Sequence, residues 1–304
     1  MRIVQSHWQN NAGLLFHTQA WEPDLRPRAV VALVHGLGEH VARYAPISEA
    51  LVKAGFAVTG FDLRGHGRSG GPRGHTPDYE ALMDDIDALL ARARDRFPRH
   101  PVFLYGHSLG GGIVLNYAMR RAPTLKGVIA SSPWLCAAMK PSPLRAMLAR
   151  ILDPVLPAFA QKWGLESASL SHDAEVVGAF DRDPLAHGLI SVRMYRVCAQ
   201  AGNWALEHAG EFPLPLLLMH GTADRITSWE ASQEFARRLG RKCTFRLWDG
   251  WYHELHNEPG RARVVETMVS WMSRIMARSG ISQARAGQKR QGMRKSRPIP
   301  RGRA

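Results

Sequence analysis

Cysteine is scarce in this chain: three in 304 residues, with Cys136, Cys198 and Cys243 far apart. An odd, scattered set builds neither a disulfide framework nor a metal knuckle, so a reducing setting, the cytoplasm, is expected. Long apolar runs are missing too. No stretch approaches the roughly 18 residues that a bilayer-spanning helix needs. Residues 1–10 lack a charged-then-apolar leader pattern, so export by that route is not expected. Acidic residues are outnumbered, 26 against 40 Lys and Arg, for a net charge of +14. The excess is local. Residues 281–304 carry eight basic residues and no acidic one, which leaves about +6 on the rest of the chain. That tail has no apolar periodicity and is expected to be disordered. It is either drawn to anionic lipid or nucleic acid, or simply solvated without a specific partner. The charge is therefore no argument that the folded part binds nucleic acid, and no specific nucleic-acid partner is expected.

What the chain does have is a rhythm. Short apolar runs at Ala29–Val34, Phe56–Phe61, Val102–Tyr105, Gly127–Ala130, Leu214–Met219 and Cys243–Trp248 are bounded by Gly, Pro or His. Strands of a parallel sheet covered on both faces have this form. Helical patterns alternate with them. Asp78–Phe97 aligns Leu82, Ile86, Leu89, Leu90, Ala93 and Phe97 on one stripe, with Pro77 near its start. Further helices are expected at Tyr44–Ala54, Leu109–Arg121, Ser228–Leu239 and Pro259–Ala277. Such alternation means right-handed crossovers and a doubly wound, mostly parallel α/β sheet with helices on both faces. Ile3–Trp8 and Leu14–Ala20 flank Asn10-Asn11-Ala12-Gly13 and predict an antiparallel hairpin on the sheet's edge.

The rhythm stops between Trp134 and about Phe212, where no strand is evident. A helix from Ser142, with Pro143 at its first position, places Leu144, Met147, Leu148, Ile151, Leu152 and Val155 on one stripe. The segment is read as a helical cap, because insertions after a strand's carboxyl end sit over the ligand site of open α/β sheets. Its stripe lines an acyl channel, meets a lipid surface or packs on the sheet. The expected division is core at 1–133, cap at 134–212, core again at 213–280, and basic tail at 281–304.

The chemistry is concentrated in Gly106-His107-Ser108-Leu109-Gly110, which follows a strand and opens a helix. This is the G-x-S-x-G nucleophile elbow, whose tight turn needs residues without side chains two positions either side of the serine. A nucleophilic serine needs a base, and the base an orienting acid, in the chain order Ser, acid, His. Asp224 falls in the loop after Leu214–Met219 and is the favoured acid; Asp249 is its competitor. His253 falls in the loop after Cys243–Trp248 and is the favoured base; His256 is the alternative. Two backbone donors are expected to hold the oxyanion, the amides of Leu37 and Leu109. His35 and His107 are expected to be structural. Gly65-His66-Gly67-Arg68-Ser69-Gly70 matches a dinucleotide fingerprint, but Pro72 and Gly74 interrupt the helix that should follow, so no nucleotide cofactor is expected. His253-Glu254-Leu255-His256 lacks metal-ligand spacing and a third ligand, so no metal is expected.

With these residues assembled, the chain resembles the monoacylglycerol lipase and lysophospholipase-like branch of the α/β hydrolases, the serine aminopeptidase-like group. The resemblance rests on six motifs in order. They are His35-Gly36-Leu37-Gly38-Glu39-His40 with Arg43-Tyr44, then Phe61–Ser69 with its Arg-Gly-His-Gly loop, and Gly106–Gly111. Ser131-Ser132-Pro133, Gly221-Thr222-Ala223-Asp224 and Tyr252-His253-Glu254-Leu255-His256-Asn257-Glu258 complete the set. It covers roughly residues 10–275. It implies an α/β-hydrolase fold with a helical cap, no cofactor, and a serine esterase acting on single-chain lipid esters through an acyl-enzyme. Ser108, His253 and Asp224 would be nucleophile, base and orienter, with Leu37 and Leu109 around the oxyanion. Residues matching Glu39, Arg43 and His256 lie near the glycerol end in that family; for Glu39 and Arg43 the alternative is a structural ion pair beneath the loop. Phe180 stands where animal monoacylglycerol lipases carry a cap tyrosine, which removes a hydroxyl that would contact the alcohol. The implied substrates are monoacylglycerols or lysophospholipids, with short esters, an aminopeptidase-like role or a non-catalytic lipid-binding scaffold as rivals. The cap and tail are further expected to allow peripheral membrane contact.

Overall fold

The structure is a computed structural model and describes residues 1–139, 143–162, 164 and 166–295, the side chains of 143–146, 148 and 279–295 excepted. The chain opens with β1 (Arg2–Gln9) and β2 (Leu15–Glu22). There follow β3 (Ala29–Val34), α1 (Ala45–Lys53), β4 (Phe56–Phe61), α2 (Tyr79–Arg96), β5 (Val102–His107), α3 (Leu109–Arg121) and β6 (Gly127–Ser131). The next stretch holds α4 (Pro143–Leu152), β7 (Ala160–Lys162), α5 (Ala174–Arg182), β8 (Leu189–Ser191) and α6 (Val192–Glu207). The chain then completes β9 (Leu216–Gly221), α7 (Trp229–Leu239), β10 (Cys243–Trp248) and α8 (Ala262–Lys295).

Eight strands form one sheet in the order β1-β2-β4-β3-β5-β6-β9-β10. The β1–β2 hairpin and the β2–β4 pair are antiparallel; every other pair is parallel. Period-two alternation divides the apolar residues between the faces. Val30, Ala32 and Val34 of β3 join one core with residues of α2, α3, α6 and α7. Ala29, Val31 and Leu33 join the other, with α1 and α8. Each Val or Leu buried this way is worth roughly 1.5–3 kcal/mol, so the two cores hold the layers together. Side-chain caps fix where helices start: Asp78 accepts from the Ala81 amide at 2.7 Å, and Ser228 from that of Ala231 at 3.0 Å.

The sheet order reverses between β3 and β5. From β3 the chain moves outward to β4, then returns to β5 on β3's other side. Loops after strands that flank such a switch point diverge and leave a crevice. The loop from His35 and the elbow at Ser108 face each other across it.

Three local readings change. The stretch from 134 to 212 holds two strands, β7 and β8, paired antiparallel over three residues each. Three residues are too few to show a period in the sequence. Helix α6 packs into the same core as α2 and α3, so the rear of this stretch belongs structurally to the layer over the sheet. The last helix runs to Lys295, so residues 281–295 are helical where composition alone indicated disorder. The run is rich in Ala, Gln, Arg and Lys, all good helix formers, and it extends a helix already nucleated by packing. Residues 296–304 of the basic tail, and Ser142 of the cap helix, lie outside the described residues.

The cap is stitched to the loops below it. The Asp183 carboxylate meets His40 Nε2 at 2.7 Å, and the His187 amide donates to the Gly38 carbonyl at 2.8 Å. His187 Nε2 lies 3.0 Å from the Gly65 carbonyl. Gly38 has φ +76°, and a Cβ there would collide with the His187 carbonyl oxygen.

Candidate active site

Ser108 occupies the turn between β5 and α3 with φ 53° and ψ −118°. Non-glycine residues rarely hold a positive φ, and the fold must sustain this one. It does so by close packing. A Cβ on Gly106 would strike the Gly110 carbonyl, and one on Gly110 the carbonyls of Val34 and His35. The elbow glycines thus let α3 begin directly against the end of β3. Leu109 opens α3, so its N–H has no carbonyl one turn earlier to bond. The Leu37 amide has no backbone partner among the described residues. A Cβ on Gly36 would come within 3.1 Å of Ser108 Cβ, so the Leu37 loop lies against the serine. His35 is structural, as expected: its Nε2 accepts from the Leu63 amide at 2.8 Å and its Nδ1 donates to Gly36 O at 2.7 Å.

Asp224 and His253 come together from successive loops, with Oδ2 to Nδ1 at 2.7 Å and both residues buried. Oδ1 of Asp224 accepts from the amides of Ile226 at 2.8 Å and Thr227 at 3.1 Å. Burial alone would raise this carboxyl, but the imidazoles of His253 and His220 outweigh it and hold the group far below the usual carboxylate range. For His253 burial works downward, and the Asp224 charge and hydrogen bond reverse it, leaving the imidazole above its ordinary value. The alternatives separate cleanly. Asp249 is exposed and accepts from Thr222 Oγ1 at 3.0 Å. His256 stacks on Tyr44 at 4.6 Å, both ring nitrogens without a partner among the described residues, and burial lowers it to about 3.

Ser108 and His253 line one cavity together with Gly36, Leu37, Glu39, His107, Trp134, Leu170, Phe180, Ile226, Thr227 and Glu254. Its walls are largely apolar, and the Glu39 and Glu254 carboxylates mark a polar end. Of the three residues expected near an alcohol, Glu39 lines the cavity whereas Arg43 and His256 stand behind it. Arg43 is an ion-pair partner, 3.4 Å from Glu39 and doubly bonded to Glu254 at 2.9 Å. Its guanidinium lies 4.8 Å over the Phe180 ring. Glu39 also accepts from the Gly36 amide at 2.5 Å and the Tyr44 hydroxyl at 2.7 Å. Burial pushes its carboxyl up and the nearby Glu254 charge adds to that, against the pull of Arg43. Sequence reasoning gave Glu254 no role of its own, since it entered only within a metal pattern and within the Tyr252–Glu258 motif. It also missed His220, which looked like punctuation at a strand end. The Gly65–Gly70 loop turns inward around Asp62, which accepts from the amides of Val41 and Arg68 at 2.8 Å each.

A doubly wound sheet that brings an elbow serine, a histidine and a buried aspartate past neighbouring strand ends defines the α/β hydrolases. Comparison with known proteins narrows the class: the family model described as serine aminopeptidase, S33 matches residues 25–260. A monoacylglycerol lipase of Mycolicibacterium smegmatis is 34% identical over 254 residues, 83% of this chain and 90% of that one. An uncharacterized abhydrolase domain-containing protein of Dictyostelium discoideum is 34% identical over 257 residues, but this chain spans only 27% of its length. The crystal structure of Paleococcus ferrophilus monoacylglycerol lipase superposes with a TM-score of 0.77 at 33% identity, covering 90% of this chain and all of that one. The chain belongs to the serine aminopeptidase, S33 family.

Proposed function

We propose that the protein hydrolyses the carboxylic ester of monoacylglycerols to a fatty acid and glycerol, with Ser108 as nucleophile, His253 as base and Asp224 as orienter. The observation that carries this is the 2.7 Å Asp224–His253 pair beside a serine in a mostly apolar cavity with a carboxylate at one end. Monoacylglycerol lipases among its relatives support the substrate class.

Ser108 Oγ attacks the ester carbonyl while His253 Nε2 takes its proton. The negative charge that develops on the carbonyl oxygen is met by the Leu37 and Leu109 amides; one such donor is typically worth roughly 10²–10³ in rate. The imidazolium then protonates the departing glycerol oxygen, leaving an acyl ester on Ser108. Water, deprotonated by His253, cleaves that ester and restores the serine. The apolar walls suit an acyl chain, and Glu39 is the acceptor offered to an alcohol hydroxyl. Because Phe180 carries no hydroxyl and faces Arg43, polar recognition on that side falls to Glu39.

We keep the division into core at 1–133 and 213–280, a cap at 134–212 and a basic tail at 281–304 as a functional one, although α6 of the cap packs into the core and α8 crosses the boundary at 280. No described helix is long and apolar enough to cross a membrane. Peripheral contact is a separate matter. Of eleven exposed large hydrophobic residues among those described, Met139, Met147, Ile151, Val155, Leu156 and Phe159 fall within one stretch of the cap. That concentration fits a surface that rests on lipid. Ala138, beside Met139, donates its amide to the carbonyl of Ile226, a residue of the cavity wall. The apolar stretch thus begins next to the cavity. The three cysteines are unpaired, in keeping with a cytoplasmic setting.

The test is fatty acid release from a monoacylglycerol and a lysophosphatidylcholine of equal chain length, with Ser108→Ala as blank. Preference for the glycerol ester is expected, and Ser108→Ala should lose nearly all turnover. Equal activity of that variant would remove the nucleophile, and preference for the lysolipid would remove the substrate class.

A further inference from the structure

Asp224 carries a second histidine. His220 Nε2 lies 3.0 Å from the same Oδ2 that faces His253, and its Nδ1 lies 2.8 Å from the Ser232 hydroxyl. The His220 and Asp224 side chains are both fully shielded from solvent. The two backbone amides on Oδ1 belong to the loop that carries Asp224. His220, by contrast, sits in β9 and Ser232 in α7, elements packed into the sheet. A buried imidazole is costly unless both nitrogens are bonded, and here both are. Ser232 can donate to Nδ1, which leaves the proton on Nε2 and aims it at the carboxylate. Thr227 Oγ1, at 2.9 Å from Oδ2, has one proton for two acceptors, since Ser132 O is 3.0 Å away. The titratable groups around this carboxylate are His220 and His253; His107, 4.7 Å from the His253 ring, and Glu254 stand beyond.

We infer that His220, backed by Ser232, is a positioning residue that ties the acid's Oδ2 to the sheet and disperses its charge, so setting both the aim and the basicity of His253. The inference rests on Asp224 being the orienting acid. His220 touches no substrate atom; it acts through Asp224. Without its donor the carboxylate turns more freely, and its less dispersed charge grips the His253 proton harder.

The experiment measures kcat, KM and the pH profile of kcat/KM on a soluble chromogenic ester. In the unaltered protein activity should rise with pH through a midpoint above 6.5, because His253 must be neutral to act and its imidazole is held above that value. His220→Leu should lower kcat about ten-fold or more with little change in KM, and move the acid limb further up. His220→Gln, which keeps a donor near Nε2, should recover most of both. Ser232→Ala, away from the cavity, should move the limb the same way by less and decides the matter should His220→Leu fail to fold. An unmoved acid limb in His220→Leu and Ser232→Ala, whatever happens to kcat, would overturn the inference. Asp224→Asn separates this from the underlying reading: full turnover there removes the acid itself, whereas lost turnover with silent His220 variants removes only the role of His220.

Discussion

Arg43 sits between two buried carboxylates, Glu39 and Glu254, with its own side chain 8% exposed. Such a cluster has one formal negative charge in excess, and burial already raises the Glu39 carboxyl. Replacing Arg43 with Met removes the cation that both acids share. Breaking a buried pair this way typically costs about 3–5 kcal/mol. The cost should depend on pH, because a carboxyl raised in the folded state weakens folding only where it must ionise. Below the ordinary glutamate value near 4.5 the penalty is absent; it grows as pH rises through the shifted value. Urea unfolding of Arg43→Met and the unaltered protein at pH 5 and pH 8 should show a larger difference at pH 8. Equal differences would mean that the acids are paired otherwise. The Glu39–Arg43 half of this cluster, four residues apart, was an alternative open to the sequence; the Glu254 half was not, since Arg43 and Glu254 are 211 residues apart. Ser108, Asp224 and His253 were legible because each lies at a fixed offset from a strand end. The partners of those residues come from tertiary adjacency, which no window of sequence contains.

The strands were legible for a related reason. A strand buried on both faces must be apolar throughout, and β3 and β4 begin and end where the apolar runs do; the edge strand β10 does so too, although it is only partly buried. In the cap that rule lapses. Strands β7 and β8 have three residues each, and α5 has no buried residue, so none of the three carries a burial period. The stripe of α4 was visible, but its destination was not. Met147 and Ile151 are 51% and 60% exposed, which rules out packing on the sheet as their main role. The only acid between Met139 and Lys162 is Asp153, and it is bound by Arg193 at 2.5 Å and Arg196 at 2.7 Å. Charge on this face is therefore positive as well as its surface apolar. Met147→Glu with Ile151→Glu should reduce binding to anionic vesicles at least ten-fold and leave hydrolysis of a soluble ester unchanged. A vesicle sedimentation assay beside a chromogenic ester assay reads both, and undiminished sedimentation would free this face from the membrane.

At the level of the whole molecule, charge is distributed unevenly along the chain. The last 24 residues hold +8 of the net +14, and the helix that carries part of them is anchored by Val264, Met268 and Trp271 in the core beneath the sheet. Each basic residue near an anionic surface contributes about 1 kcal/mol at most, and salt removes it as the screening length falls to about 3 Å at 1 M. Deleting residues 281–304 should weaken vesicle binding at low salt and change nothing at 1 M. If the truncated and full chains bind alike at low salt, the tail has no part in surface contact. The fold itself should be indifferent to the deletion, because every core side chain among the described residues lies before residue 281.

Gly38 and His187 lie back to back, one in the loop that offers the Leu37 amide, the other in the cap, joined by a backbone hydrogen bond of 2.8 Å and without room for a single added carbon. Cap and loop therefore form one joint with two owners. A chimaera that imported the cap of another hydrolase would need to bring an N–H and a carbonyl to the place of His187, or re-cut the loop at Gly38 to match. In this scaffold a new lid is a two-segment graft, and substrate range can be exchanged between relatives only where both halves of the joint travel together.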